Sequence, residues 1–121
     1  MKRYVTWNEV EDYVRRVCDK FSDKKLTGVY GIPRGGLVFA TMLSHRLNIP
    51  LLQAPCKDCL VVDDISDTGK TLIHFQECGY LISTMFYKKD SSVEPDYWYA
   101  NKYNDWIVYP WEDKNESSRN I

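Results

Sequence analysis

The chain has 121 residues, the length of one compact domain with no room for a second of ordinary size. Hydrophobic residues make up 44% of it, enough for a core and too many for a disordered chain. The net charge of -1 gives no basic surface for nucleic acid or an acidic membrane, so neither is an expected partner and small-molecule chemistry is the better expectation.

No apolar run approaches the roughly 18 residues of a membrane span, and none follows the charged N-terminus as in a secretory signal, so a cytoplasmic location is expected. Thr6-Trp7-Asn8-Glu9 has the form of a capping box, and Val10, Tyr13, Val14, Val17 and Phe21 follow it at helical spacing. After a polar break, residues 26–32 read as a strand ending at Pro33-Arg34-Gly35-Gly36. A helix is expected from there to about Asn48, burying Leu37, Ala40, Leu43 and Leu47. Residues 49–53 and 59–62 read as short apolar strands, the second with the β-branched character of a strand buried in a parallel sheet. A helix over 70–78 stopped by Gly79, a strand over 81–87, and aromatic strand-like stretches at 97–99 and 106–109 complete the pattern. Residues 112–121 form a polar tail expected to fray.

Alternating strands and helices predict a single α/β domain, a mainly parallel twisted sheet flanked by helices. Ligands of such sheets bind at the C-terminal ends of the strands, where the chain order reverses, and both Gly-containing strand-to-helix turns fall at such ends.

The second turn, Val61-Val62-Asp63-Asp64-Ile65-Ser66-Asp67-Thr68-Gly69-Lys70-Thr71, is the more informative. Its small and polar residues let backbone N–H groups converge on an anion at a helix N-terminus, with Thr68 and Thr71 adding hydroxyls. Three acids beside such an anion need hydroxyl groups, a cation or a proton to serve. Asp63 and Asp64 suit the vicinal hydroxyls of a ribose, directly or through Mg²⁺, and Asp67 is free to reach another part of the substrate. Ordinary helix capping needs one such residue, not three acids and two threonines. A P-loop would need Gly where Asp64 stands.

Two apolar residues, two acids and then x-x-D-T-G-x-T resembles the phosphoribosyl-pyrophosphate motif of the type I phosphoribosyltransferases, and residues 33–36 resemble that family's pyrophosphate loop. The opening Tyr4-Val5-Thr6-Trp7, the stretch 32–38 and the late 106–112 point within the family to the bacterial xanthine–guanine phosphoribosyltransferases. The resemblance implies transfer of ribose 5-phosphate from phosphoribosyl pyrophosphate to a 6-oxopurine, with Mg²⁺ required. It implies that Thr68, Gly69, Lys70 and Thr71 cradle the 5-phosphate, with Ile65 and Ser66 in the same binding stretch. Asp63 and Asp64 would hold the ribose, Asp64 also meeting the metal, and Arg34 and Gly35 the pyrophosphate. Asp67 would accept the proton of purine N7 as the catalytic base. Lys88, or Lys89 beside it, would donate to the 6-oxo group, Trp106 would stack on the base, and the Ile107 backbone would read its edge. The family also commonly self-associates.

One departure stands out. Only Ala54-Pro55-Cys56-Lys57-Asp58 occupy the place where family members carry further strands or a long mobile loop over the site, so a reduced hood is expected. A non-catalytic binder of phosphoribosyl pyrophosphate or a purine nucleotide is therefore an alternative. A metal or redox module on Cys56 and Cys59 is a third, against free thiols in a short loop.

Overall fold

A computed structural model of the chain describes residues 1–112; the expected tail lies, apart from Glu112, outside them. The elements in order are β1 (Lys2–Tyr4), α1 (Trp7–Lys20), β2 (Val29–Gly31), α2 (Leu37–Leu47), β3 (Leu51–Leu52), β4 (Leu60–Ser66), α3 (Ile73–Glu77), β5 (Leu81–Tyr87), β6 (Tyr97–Asn101) and β7 (Trp106–Val108).

The main sheet has the order β3-β2-β4-β5-β6, and every neighbouring pair in it is parallel. Side chains alternate across it. Leu60 and Val62 enter the core under α1 and α2, while Cys59 and Val61 join Leu72, Ile82 and Val93 on the face packed by Ile73, Phe75 and Tyr80. Both faces are covered, which accounts for the unbroken apolar run of β4. After β2 the chain places β3 on one side and β4 on the other, so the order reverses between β2 and β4. The two turns leave those adjacent strands.

Helix α1 begins with the capping box, Thr6 accepting from the Glu9 amide at 3.1 Å and Glu9 accepting from the Thr6 amide at 3.0 Å. Its expected stripe is buried throughout. In α2 the stripe is Phe39, Ala40 and Leu43, whereas Leu37 is 42% exposed. The helix starts at Leu37 itself, which puts that residue in the open first turn, and Phe39 is the one that wedges against the Tyr13, Tyr109 and Trp111 rings. The helix expected over 70–78 is confined to Ile73–Glu77, because Gly69 has φ +89° and the turns around its carbonyl occupy residues 69–73. Strand β4 runs four residues past its expected end, since β5 pairs with it as far as Ser66↔Tyr87.

Strand β1 has no counterpart among the elements expected from the sequence. It pairs in parallel with β7, in the register Lys2↔Trp106, Arg3↔Ile107 and Tyr4↔Val108, forming a two-stranded hood beside the main sheet. The connector from β3 to β4 runs past the N-terminal ends of β2 and β4, away from the two turns. Strand β3 reaches only to the level of Tyr30, and Thr27 holds the connector there with bonds to the Asp58 carbonyl (3.0 Å) and the Lys57 carbonyl (2.8 Å).

Candidate active site

The two turns touch. A Cβ on Gly35 would overlap the Asp64 carboxylate, and one on Gly36 would overlap the Val62 carbonyl. Bare backbone is therefore required for the first turn to lie over the end of β4. The turn closes with the Gly36 amide donating to the Ile32 carbonyl at 2.8 Å; its Pro33–Arg34 peptide is cis, and the Arg34 side chain is exposed beside it.

In the second turn Thr68, Lys70 and Thr71 are exposed, and Gly69 is buried with no space for a side chain between it and Ser92. The segment after β5 pins this loop, with the Ser92 amide and hydroxyl both donating to the Thr68 carbonyl at 3.0 and 2.9 Å. Among the described residues the amides of Thr68, Gly69 and Thr71 meet no acceptor, while those of Lys70, Leu72 and Ile73 do. Free amides and threonine hydroxyls on one short loop are the kind of donor set that holds an anion. The cradle rests on the loop, because α3 is too short to add much of a helix field.

Ser66 departs from its expected role. Its hydroxyl faces the interior, 2.7 Å from the Val93 carbonyl and 2.8 Å from the Ser91 hydroxyl, and secures the loop instead of meeting a ligand.

Asp63 and Asp64 lie within β4 and not beyond it. Asp63 is 9% exposed, and burial, together with the Asp64 carboxylate, pushes its carboxyl up to about 8. Its Oδ1 accepts the Asp64 amide at 2.8 Å, and Asp64 Oδ1 accepts the Ile65 amide at 2.8 Å. Below β4, the Tyr109 hydroxyl donates to the Asp64 carbonyl at 2.8 Å, and burial raises that phenol well above its ordinary value.

Among the described residues no three His, Cys, Asp or Glu side chains stand close enough to hold a metal by themselves. Two adjacent carboxylates, one of them retaining a proton in the absence of a cation, do fit Mg²⁺ that draws its other ligands from water and a polyphosphate. At the N-terminal ends of the strands, Cys59 is fully buried and burial pushes its thiol up, while exposed Cys56 contacts Thr27. That pair closes the connector, the Cys59 amide donating to the Cys56 carbonyl at 3.2 Å.

A cleft of about 840 Å³ opens between the end of β4 and the hood, lined by Asp64, Ile65, Asp67, Lys102, Trp106, Ile107 and Tyr109, among others. Trp106 is 70% exposed, a large flat ring presented to solvent, and the Ile107 side chain is buried behind it. Asp67 stands at the mouth, half exposed. Lys88, expected in this cleft, turns to Asp90 at 3.3 Å and does not line it, and Lys89 is exposed. Lys102 lines it instead, its Nζ 3.7 Å from Asp67 Oδ2 and its side chain only 12% exposed. Sequence reasoning missed Lys102. It directly follows β6, so the rule that parallel strands present ligand groups at their C-terminal ends would have found it once that strand was bounded.

No family model matches the sequence. The chain is 25% identical to the xanthine-guanine phosphoribosyltransferase of Chromohalobacter salexigens, covering 89% of this chain and 82% of that one. It superposes on a purine phosphoribosyltransferase from Pyrococcus horikoshii with a TM-score of 0.82 at 32% identity, covering 93% of this chain and 95% of that one. The chain belongs to the type I phosphoribosyltransferase family. The Helicobacter pylori xanthine-guanine-hypoxanthine phosphoribosyltransferase has the same fold, with a TM-score of 0.82 at 15% identity over 100% of this chain and 99% of that one. A phosphoribosyltransferase fold is thus shared with chains that this one spans almost end to end.

Proposed function

We propose that the protein transfers ribose 5-phosphate from phosphoribosyl pyrophosphate to a 6-oxopurine (xanthine, guanine or hypoxanthine), releasing pyrophosphate. The observation that carries this reading is the contact between the two turns at Gly35 and Asp64, at the mouth of a cleft holding Asp67 and Trp106. Thr68, Gly69, Lys70 and Thr71 hold the 5-phosphate through free amides, hydroxyls and the Lys70 charge. Arg34 and the Gly35 backbone take the pyrophosphate, for which a planar guanidinium is well matched. Asp63 and Asp64 hold the ribose hydroxyls. Asp64 would hold Mg²⁺, which when bound would supply positive charge to offset that of the diphosphate. Trp106 stacks on the purine, the Ile107 backbone meets its edge, and Asp67 accepts the N7 proton as N9 bonds to C1′ and the C1′–diphosphate bond breaks. Carboxylates beneath a ribose ring that gains positive charge, and a clamped diphosphate that gains negative charge, both act on the transition state.

The same reading includes self-association, which sedimentation at several protein concentrations tests, and a cytoplasmic location. Among the described residues no helix is long and apolar enough to cross a membrane. A second reading, binding of phosphoribosyl pyrophosphate or a purine nucleotide without turnover, is favoured by one observation: the β3–β4 connector is tied to the N-terminal ends of the strands, away from the turns, and supplies no lid. Incubation with phosphoribosyl pyrophosphate, Mg²⁺ and each of guanine, xanthine and hypoxanthine decides between them. Nucleotide and pyrophosphate in equal amounts are expected. Binding with no product from any base would leave the second reading, and no binding would end both.

A further inference from the structure

The proposed reaction makes no use of Cys56 and Cys59, which stand at the end of the sheet away from the two turns. The four-residue turn that the Cys59 amide closes holds Asp58 at φ +64°. A turn of this kind brings its end Cα atoms within about 7 Å, and a disulfide spans about 4.4–6.8 Å. The Cys56 amide also donates toward the Cys59 sulfur, so that sulfur lies back against Cys56. The two thiols differ in access, Cys56 being exposed and Cys59 fully buried. A cavity of about 310 Å³ opens beside Cys59, and Lys24 and Lys25 line it against the single acid Asp58. That excess of positive charge draws an anionic reagent to this end of the molecule. Cys78 is the other exposed thiol, and it acts together with the pair on the Tyr80 phenol.

We propose that Cys56 and Cys59 form a thiol–disulfide exchange site whose oxidant is a small anionic disulfide. The Cys56 thiolate attacks one sulfur of that disulfide, forming a mixed disulfide and expelling one small thiolate. The Cys59 thiolate then attacks the Cys56 sulfur, the mixed disulfide breaks, and the second small thiolate leaves. Two protein thiols are oxidised and one small disulfide is reduced to two thiols, which take up the two protons the cysteines release. Access and charge set this order. Of the pair only Cys56 meets solvent, and capping it removes the negative charge that opposes ionisation of Cys59. The new bond replaces the 3.4 Å contact of Cys56 with Thr27. Thr27 keeps the Lys57 carbonyl at 2.8 Å and the Asp58 carbonyl at 3.0 Å, so the connector stays in place.

The test exposes the reduced full chain to oxidised glutathione, blocks the remaining thiols and maps the peptides by mass. The wild type is expected to lose both thiols to a Cys56–Cys59 bond with no lasting adduct, and to regain them with dithiothreitol. Cys59→Ala should stop at a glutathione adduct on Cys56, Cys56→Ser should leave Cys59 unreacted, and Cys78→Ser should behave as the wild type. The bond mapped in the wild type decides the matter even where a variant fails to fold. A lasting adduct on wild-type Cys56, a Cys56–Cys78 bond, or no reaction at all would overturn the site. Replacing Lys24 and Lys25 together by Gln should slow oxidation by glutathione about threefold or more and leave oxidation by the neutral hydroxyethyl disulfide unchanged. An unchanged rate with glutathione in that variant would overturn the preference for an anionic disulfide.

Discussion

Asp63, Asp64 and Asp67 sit within five residues of one another, and the fold gives each a different environment. Asp67 is half exposed at the cleft mouth, where a carboxylate can take and release a proton. Replacing it by Asn keeps shape and hydrogen bonding but removes the base. Asp67→Asn should therefore lower kcat by about 10²–10⁴-fold while changing nucleotide affinity much less; equal losses in both would argue against the base role. Asp63 is the opposite case, a carboxyl held neutral by burial. In the folded protein burial holds the proton up to about pH 8, whereas in the unfolded chain it is lost near the ordinary value of 3.8. The folded state thus binds the extra proton across that window. The resulting stability is full below about pH 4 and lost as pH rises through about 8. Asn cannot ionise and its oxygen can still accept the Asp64 amide. Metal-free Asp63→Asn should match the wild type near pH 4 and exceed it near pH 8.5 by on the order of a few kcal/mol, read from urea unfolding at both pH values. A variant less stable than the wild type at pH 8.5 would mean that the buried carboxyl is ionised there.

At the scale of elements, the proposed function assigns the phosphosugar to the two turns and the base to the hood. Strand β7 carries Trp106 and Ile107, and its outer edge is occupied by β1, including the Trp106 amide bonded to the Met1 carbonyl at 2.8 Å. The two glycine turns hang instead from β2 and β4. Removing residues 1–4 should loosen β7 while leaving the Thr6 cap of α1 in place. The expected result is a purine-nucleotide dissociation constant raised roughly tenfold or more, the loss of one stacked base contact of about 1–3 kcal/mol, with phosphoribosyl pyrophosphate affinity little changed. Parallel losses for both ligands would show that the hood also supports the phosphate side. Strand β1 was illegible in the sequence because Lys2-Arg3-Tyr4 has neither apolar alternation nor flanking turn residues, and only a distant partner makes it a strand. The same partner-dependence explains the extension of β4 beyond Val62, since acids have low strand propensity and β5 imposes the pairing. Helix α1 was legible in full because its signals, cap and stripe, are local. The turns were legible because their chemistry is written in consecutive residues. Lys102 and the inward turn of Ser66 depend on how separate strands end together, and no local pattern records that.

For the whole molecule, the open question is how the site keeps water from the reacting carbon. Closing segments serve that purpose in many transferases, by excluding water and completing the catalytic groups. Here the β3–β4 connector is bonded to Thr27 at the N-terminal ends of the strands, away from the turns, and the cleft of about 840 Å³ opens beside Asp64 and Asp67. The hood covers one side only. When phosphoribosyl pyrophosphate is bound without a base, water can occupy the place of N9. Base-free incubation with Mg²⁺ should therefore release ribose 5-phosphate and pyrophosphate at a measurable fraction of the transfer rate. A 6-oxopurine should suppress this loss as it fills the space under Trp106. Dependence on protein concentration adds a second dimension to the measurement. If one chain alone forms the site, hydrolysis per molecule stays constant on dilution. If a second copy covers the open side, the loss is small at high concentration and grows as the protein is diluted, in step with dissociation seen by sedimentation. Efficient transfer with no hydrolysis at any concentration would mean that the single chain shields the reacting carbon by itself, and the exposed ring of Trp106 would be the first group to examine.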